Sequence, residues 1–184
     1  MKSDLLVIDD FYSDPDFVRD FALKQQFNVF GTYPGSRTKN FLTDELKDKI
    51  QTSIHPHAGK AIDWLEEDGG SGSFQLTYAK DLSWVHTDDY NDWGGVLYLT
   101  PEAPLSSGTG FFKSKIDGTI FGDNESFKKD RYDKTKWDLV SSIGNVYNRL
   151  ILFRANQWHT SLDYFGNTKE TGRLTQVFFI NTER

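Results

Sequence analysis

The 184-residue sequence contains no cysteine, so neither a disulfide framework nor a thiolate metal site is open to it. No apolar run approaches the length of a membrane span, and the opening residues Met1-Lys2-Ser3-Asp4 lack an apolar secretory segment. Positive charge is also short. A net charge of −6 provides no overall attraction to nucleic acid. What the chain does have is aromatic residues, at 15% of the total within a hydrophobic content of 37%. This length and composition fit one globular domain over 1–184, with a core built from Phe, Trp and Tyr.

Leu5-Leu6-Val7-Ile8 reads as a buried strand. Ser13-Asp14-Pro15 then starts a helix, with Ser13 or Asp14 as N-cap and Phe17, Val18, Phe21 and Ala22 on its apolar face. Thr43-Asp44-Glu45 caps a second helix to about Ile54, with Leu46, Ile50 and Ile54 aligned. His55-Pro56-His57 reads as solvated loop near its end, with no carboxylate placed to make it a metal site. Gly69-Gly70-Ser71-Gly72-Ser73 is too short a hinge to divide domains. From Phe74 the spacing becomes that of strands: Phe74–Tyr78, Ser83–His86, Gly94–Thr100, Gly108–Phe112, Arg149–Phe153 and Leu174–Ile180. The expected class is α+β: a two-sheet jelly roll, or double-stranded β-helix, with the N-terminal helices packed outside one sheet. A charged excursion over 113–148 includes Lys128, Lys129, Asp130 and Arg131 and is expected to form a helix through Trp137, Leu139 and Val140. It is either a lid or rim over the barrel mouth or a solvated surface insertion.

The chemistry concentrates in His86-Thr87-Asp88. A His and a carboxylate at i, i+2 project to the same side of an extended backbone. A second imidazole from His159, on a distant segment, completes two His and one carboxylate on one face of a metal, the facial triad of non-haem iron. Asp89 and Asp92 compete for the carboxylate role, but only Asp88 has the i, i+2 relation to His86. Trp158 is read as a core residue. Arg173 and Thr175 are again i, i+2, so the final strand aims a guanidinium and a hydroxyl into the barrel together, and a buried guanidinium requires an anion.

The order HxD, distal His, then Arg opening the last strand resembles the iron(II)/2-oxoglutarate-dependent oxygenases, in particular the prolyl-hydroxylase-like branch, from about Leu5 to Ile180. The resemblance implies Fe(II) held by His86, Asp88 and His159, with 2-oxoglutarate as co-substrate, O2 as oxidant and ascorbate as a supportive reductant. It makes Arg173 with Thr175 the holders of the distal carboxylate, and Tyr98 and Tyr78 further phenols for the same group. The reaction implied is hydroxylation of a peptide side chain, an amino acid or another small molecule, with succinate and CO2 as co-products. Halogenases of that superfamily lack the carboxylate that Asp88 supplies here. Tyr33-Pro34-Gly35-Ser36-Arg37 is either an exposed turn or a loop over the cavity with Tyr33 and Arg37 on substrate. A similar stretch occurs in phage and bacterial proteins that the chain resembles. With no membrane span, no secretory segment and no cysteine, the expected setting is cytoplasm, the host's if the chain is phage-encoded, with no membrane partner and an oligomeric state left open. Two other readings are a nucleic-acid oxidase or demethylase, disfavoured by the acidic balance, and a non-catalytic metal-binding jelly roll.

Overall fold

Alternation of inward and outward side chains in the C-terminal two-thirds builds two antiparallel sheets in the computed structural model, which describes residues 3–125 and 129–183. The larger sheet runs β1(Leu5–Ile8), β8(Leu150–Arg154), β5(Trp93–Tyr98), β10(Arg173–Thr182), β4(Phe74–Thr77) and β2(Ser36–Arg37), with β3(Ala61–Trp64) pairing the far end of β10. The smaller is β7(Trp137–Ile143), β6(Thr109–Ser114) and β9(His159–Ser161). This is the jelly-roll arrangement expected from the sequence.

Strand β10 divides the molecule by parity. Leu174, Phe178 and Ile180 face the helices α1(Pro15–Leu23) and α2(Asp44–Ala58), packing with Ala22, Leu46, Ile50 and Ile54 into the main core. Arg173, Thr175, Val177 and Phe179 face the other way and line the space between the sheets. There Tyr98, Phe111, Ile151 and Phe153 form a smaller apolar cluster. The helix caps follow the sequence. Asp14 accepts from the Phe17 amide at 3.0 Å and Thr43 from the Leu46 amide at 3.2 Å. Among the described residues, no helix is long and apolar enough to cross a membrane.

Four local expectations need correction. Phe17 is 69% exposed, so α1 meets the core through Val18 and Ala22 instead. His55-Pro56-His57 is helical, because α2 runs on to Ala58. Pro56 forfeits one backbone bond there, but the helix ends a turn later, where Gly59 at φ +80° returns its N–H to the His55 carbonyl. Residues 83–86 form no regular strand. The amides of Val85, His86 and Asp88 bond three separate segments, through the carbonyls of Arg131, His159 and Ala155.

The fourth correction is the expected helix through Trp137, Leu139 and Val140, which is strand β7, paired with β6 from Ser114↔Trp137 to Thr109↔Ile143. Trp, Val and Ile fit a pleated, half-buried surface, and Trp137 alone carries the burial at one end of the strand. The end of the 113–148 excursion is thus the outer strand of the small sheet. Its middle packs on the HxD loop: Asn124 accepts from the Thr87 amide at 3.0 Å and donates to the Thr87 carbonyl at 2.5 Å. Lys128, one of the excursion's charges, lies outside the described residues.

Candidate active site

His86, in the connection between β4 and β5, meets His159 of β9 in an isolated antiparallel bridge, each amide donating to the other's carbonyl at 3.0 and 2.9 Å. Their backbones are therefore fixed before any ligand arrives. Each ring is also oriented from behind. His86 Nδ1 lies 2.9 Å from the Trp84 carbonyl, and His159 Nδ1 lies 2.8 Å from the Gln157 carbonyl. A carbonyl accepts only, so both Nδ1 atoms carry the proton and both Nε2 lone pairs point forward. Forward is Asp88, with His159 Nε2 at 3.5 Å and His86 Nε2 at 4.0 Å from its carboxylate oxygens. Among the described residues these three are the one His/Cys/Asp/Glu group whose ligand atoms converge, all within 4.8 Å of one another.

The electrostatics suit a metal. Burial, with the neighbouring His159, lowers the His86 pKa to about 4, so its imidazole is neutral and ligating at physiological pH. At Asp88 burial works upward, but the facing His159, with His86 and the Arg37 guanidinium, outweighs it and holds the carboxyl below its usual range. Two imidazoles and a carboxylate on one face fit a borderline first-row divalent metal such as Fe(II). Asp89 is engaged elsewhere, accepting from Thr87 Oγ1 and from the Asn124 amide at 3.0 and 3.2 Å. Asp92 accepts from the Thr182 amide at 2.8 Å. Gly94 faces Asp88 closely, and a Cβ there would stand 3.0 Å from Asp88 Oδ2 and 2.9 Å from the Phe153 ring.

Behind the triad is a cavity of about 80 Å³ whose lining includes Arg173, Thr175, Arg37, Gln75 and Tyr164. Arg173 is 3% exposed and donates from Nε to the Ser107 carbonyl at 3.0 Å. Its Nη2 is buried and donates to no group among the described residues. An orphaned guanidinium nitrogen at this depth costs several kcal/mol in order of magnitude unless an anion meets it, and a carboxylate matches its fork. Tyr98 stands behind this group. Its ring is 5.5 Å from the Arg173 guanidinium, and its hydroxyl bonds the cavity-lining Thr109 Oγ1 at 2.7 Å. Tyr78 does not line the cavity; it packs against the main core beside β4, its amide donating to Asp81. The phenol the sequence reading missed is Tyr164, whose ring lies 5.8 Å from the Arg173 guanidinium. Trp158 is core, packed with Val85, Phe112 and Trp137.

Tyr33 and Arg37 do reach the cavity. Gly35, at φ +69°, lets the loop press against β4, where a Cβ would stand 2.1 Å from the Leu76 carbonyl oxygen. The two-residue strand β2 that follows sets Arg37 opposite Gln75.

A family model described as a family of unknown function, DUF6445, matches residues 1–180. The chain belongs to this family. No curated protein sequence matches it. Among solved structures, the DUF6445 chain is similar to HygX from Streptomyces hygroscopicus with nickel, 2-oxoglutarate and hygromycin B bound. That match has a TM-score of 0.69 at 11% identity, over 99% of this chain and 84% of that one. It is also similar to a Pseudomonas putida prolyl-4-hydroxylase, at a TM-score of 0.55 and 15% identity over 98% and 94% of the two chains. A prolyl hydroxylase from Trichoplax adhaerens, in complex with a hypoxia inducible factor peptide fragment, matches at a TM-score of 0.55 and 11% identity, over 97% and 84%. At these identities the likeness is one of fold, and the DUF6445 chain has the jelly roll of 2-oxoglutarate oxygenases.

Proposed function

We propose that this DUF6445 protein is an Fe(II)- and 2-oxoglutarate-dependent dioxygenase that hydroxylates a small molecule or peptide side chain. One observation carries the reading. The cavity that holds the convergent His86, Asp88 and His159 also holds Arg173, buried with a terminal nitrogen that makes no hydrogen bond among the described residues. A metal-binding jelly roll without a carboxylate co-substrate has no use for that cation at that place.

His86, Asp88 and His159 would hold the iron. Iron at this site supplies the redox chemistry that couples decarboxylation of 2-oxoglutarate to C–H hydroxylation. One oxygen atom of O2 goes to succinate, the other to the product, and CO2 leaves. The chain's own work is positional. Arg173 forms paired charge-assisted bonds with the distal carboxylate of 2-oxoglutarate, with Thr175 beside it on the same face of β10. Tyr98 fixes Thr109 at the cavity wall, and Tyr164 covers the guanidinium. Phe153, whose ring centroid lies 4.5 Å from that of His159, keeps the metal side of the cavity dry.

The test is succinate formation from 2-oxoglutarate with Fe(II), O2 and ascorbate, before any substrate is known. Slow uncoupled turnover is expected in the parent, and none in Asp88→Ala with its fold intact by circular dichroism. Mn(II) binding by the parent with no 2-oxoglutarate affinity would leave the non-catalytic metal-binding reading in place.

A further inference from the structure

The cavity contains more fixed positive charge than the co-substrate needs. Arg149 is paired with Asp9 (Nε–Oδ1 at 2.5 Å) and Arg154 with Asp4 (3.6 Å), but neither Arg37 nor Arg173 pairs with a carboxylate among the described residues. If the oxygenase reading holds, a divalent metal and two guanidinium groups face Asp88 and one dianionic 2-oxoglutarate. One positive charge is then left unmatched in a confined, partly buried space.

Arg37 is built to present an edge to that space. Its Nε donates to Gln75 Oε1 at 3.1 Å and its Nη1 to the Gly69 carbonyl at 2.7 Å, while Nη2 makes no hydrogen bond among the described residues. Gln75 is itself fixed, its amide donating to the Pro34 carbonyl at 2.8 Å. The guanidinium lies 3.8 Å from the Tyr33 ring centroid and 5.3 Å from that of Phe179, so aromatic faces occupy its flanks. What remains free is its in-plane edge, the geometry that binds a carboxylate. Burial lowers its pKa to about 10, which leaves it charged at physiological pH.

Resting on the oxygenase reading, we propose that Arg37 is a second anion site, distinct from Arg173, and that it receives a carboxylate of the primary substrate. The substrate class is a compact organic acid, with an amino acid's α-carboxylate as the nearest example. The carboxylate docks on Arg37, Gln75 and Tyr33, and the C–H bond to be oxidised points toward the triad.

The experiment is anaerobic calorimetry and ligand-observed NMR on the Mn(II)-loaded protein saturated with 2-oxoglutarate. The panel holds the twenty L-amino acids, small hydroxy acids, their carboxamides, and blocked tripeptides with a central Asp or Glu. At least one carboxylate should bind while its carboxamide binds ten-fold or more weakly. Arg37→Gln should weaken that carboxylate at least ten-fold, with Arg37→Lys in between, while 2-oxoglutarate affinity changes less than two-fold in both. That unchanged affinity also certifies the fold of the variants. Binding by the tripeptides alone assigns the carboxylate to an acidic side chain and overturns the free-acid class. No carboxylate sensitive to Arg37, or an Arg37→Gln loss of 2-oxoglutarate affinity as large as that of Arg173→Gln, overturns the second site. Failure of the parent to bind 2-oxoglutarate refutes the oxygenase reading instead, a separate result.

Discussion

At the scale of single residues, the site is defined by which groups are already satisfied and which are not. Both histidines spend Nδ1 on a carbonyl and keep Nε2 free, Asp89 is consumed by Thr87 and Asn124 and Asp92 by the end of β10, and Arg173 retains a nitrogen with no partner among the described residues. The last feature makes a prediction. Two charge-assisted bonds to a carboxylate are worth on the order of 3 kcal/mol or more together, so Arg173→Ala should weaken 2-oxoglutarate binding at least about a hundredfold in calorimetry of the Mn(II) protein. Arg173→Lys keeps the charge without the fork and should fall between, with Mn(II) affinity unchanged in both. The i, i+2 rule made His86, Asp88, Arg173 and Thr175 legible in the sequence, because side-chain parity survives even where 83–86 is not a regular strand. Tyr164 was not legible, since it sits in the irregular 162–172 segment, where no periodicity tells a cavity wall from a surface ring. Gln75 carried a usable signal: a polar residue alternating with Phe74 and Leu76 marks the strand face opposite the core.

Strands and helices act here as spacers that set distances across the cavity. Gly94, on β5, leaves room for both Phe153 and Asp88. Gly94→Ala is expected to fold but to displace the Asp88 carboxylate. It should weaken Mn(II) binding by about tenfold, a loss of the size seen when a metal ligand's supporting contacts are changed, with a smaller effect on the melting temperature. A second element-level contact joins the segment before α1 to β10, where the Tyr12 hydroxyl donates to Gln176 Oε1 at 2.7 Å. Burial raises the Tyr12 pKa above its ordinary value. A raised folded-state pKa means the unfolded chain loses this proton first. The stabilisation is therefore complete below about pH 10 and declines as pH rises beyond it. Urea denaturation should show this alkaline loss in the parent and a flatter profile in Tyr12→Phe, which costs about 1 kcal/mol at neutral pH. Helix starts were readable because capping is local chemistry. Strand β7 was misread because Trp137, Leu139 and Val140 suit either period, and its pairing with β6 is information from far along the chain.

At the scale of the whole molecule, the connection between β4 and β5 is tied to the small sheet at the point where chemistry is expected, through the reciprocal amide bonds of His86 and His159. These residues flank the long 113–148 excursion, so the contact closes a large loop and its entropy must be spent before the ligand set exists. The triad should therefore be among the last features to form during folding, and the transition state should lack it. A metal that recognises only the finished triad then leaves the folding limb of a chevron plot unchanged and lowers the unfolding limb, by a factor that grows with metal concentration. Stopped-flow folding with and without saturating Mn(II) measures both limbs, and a faster refolding limb would place the triad early. With the contact closing late, loss of a triad-bound metal is expected to shorten the lifetime of the native state without slowing its renewal, so that metal availability sets how long each molecule persists.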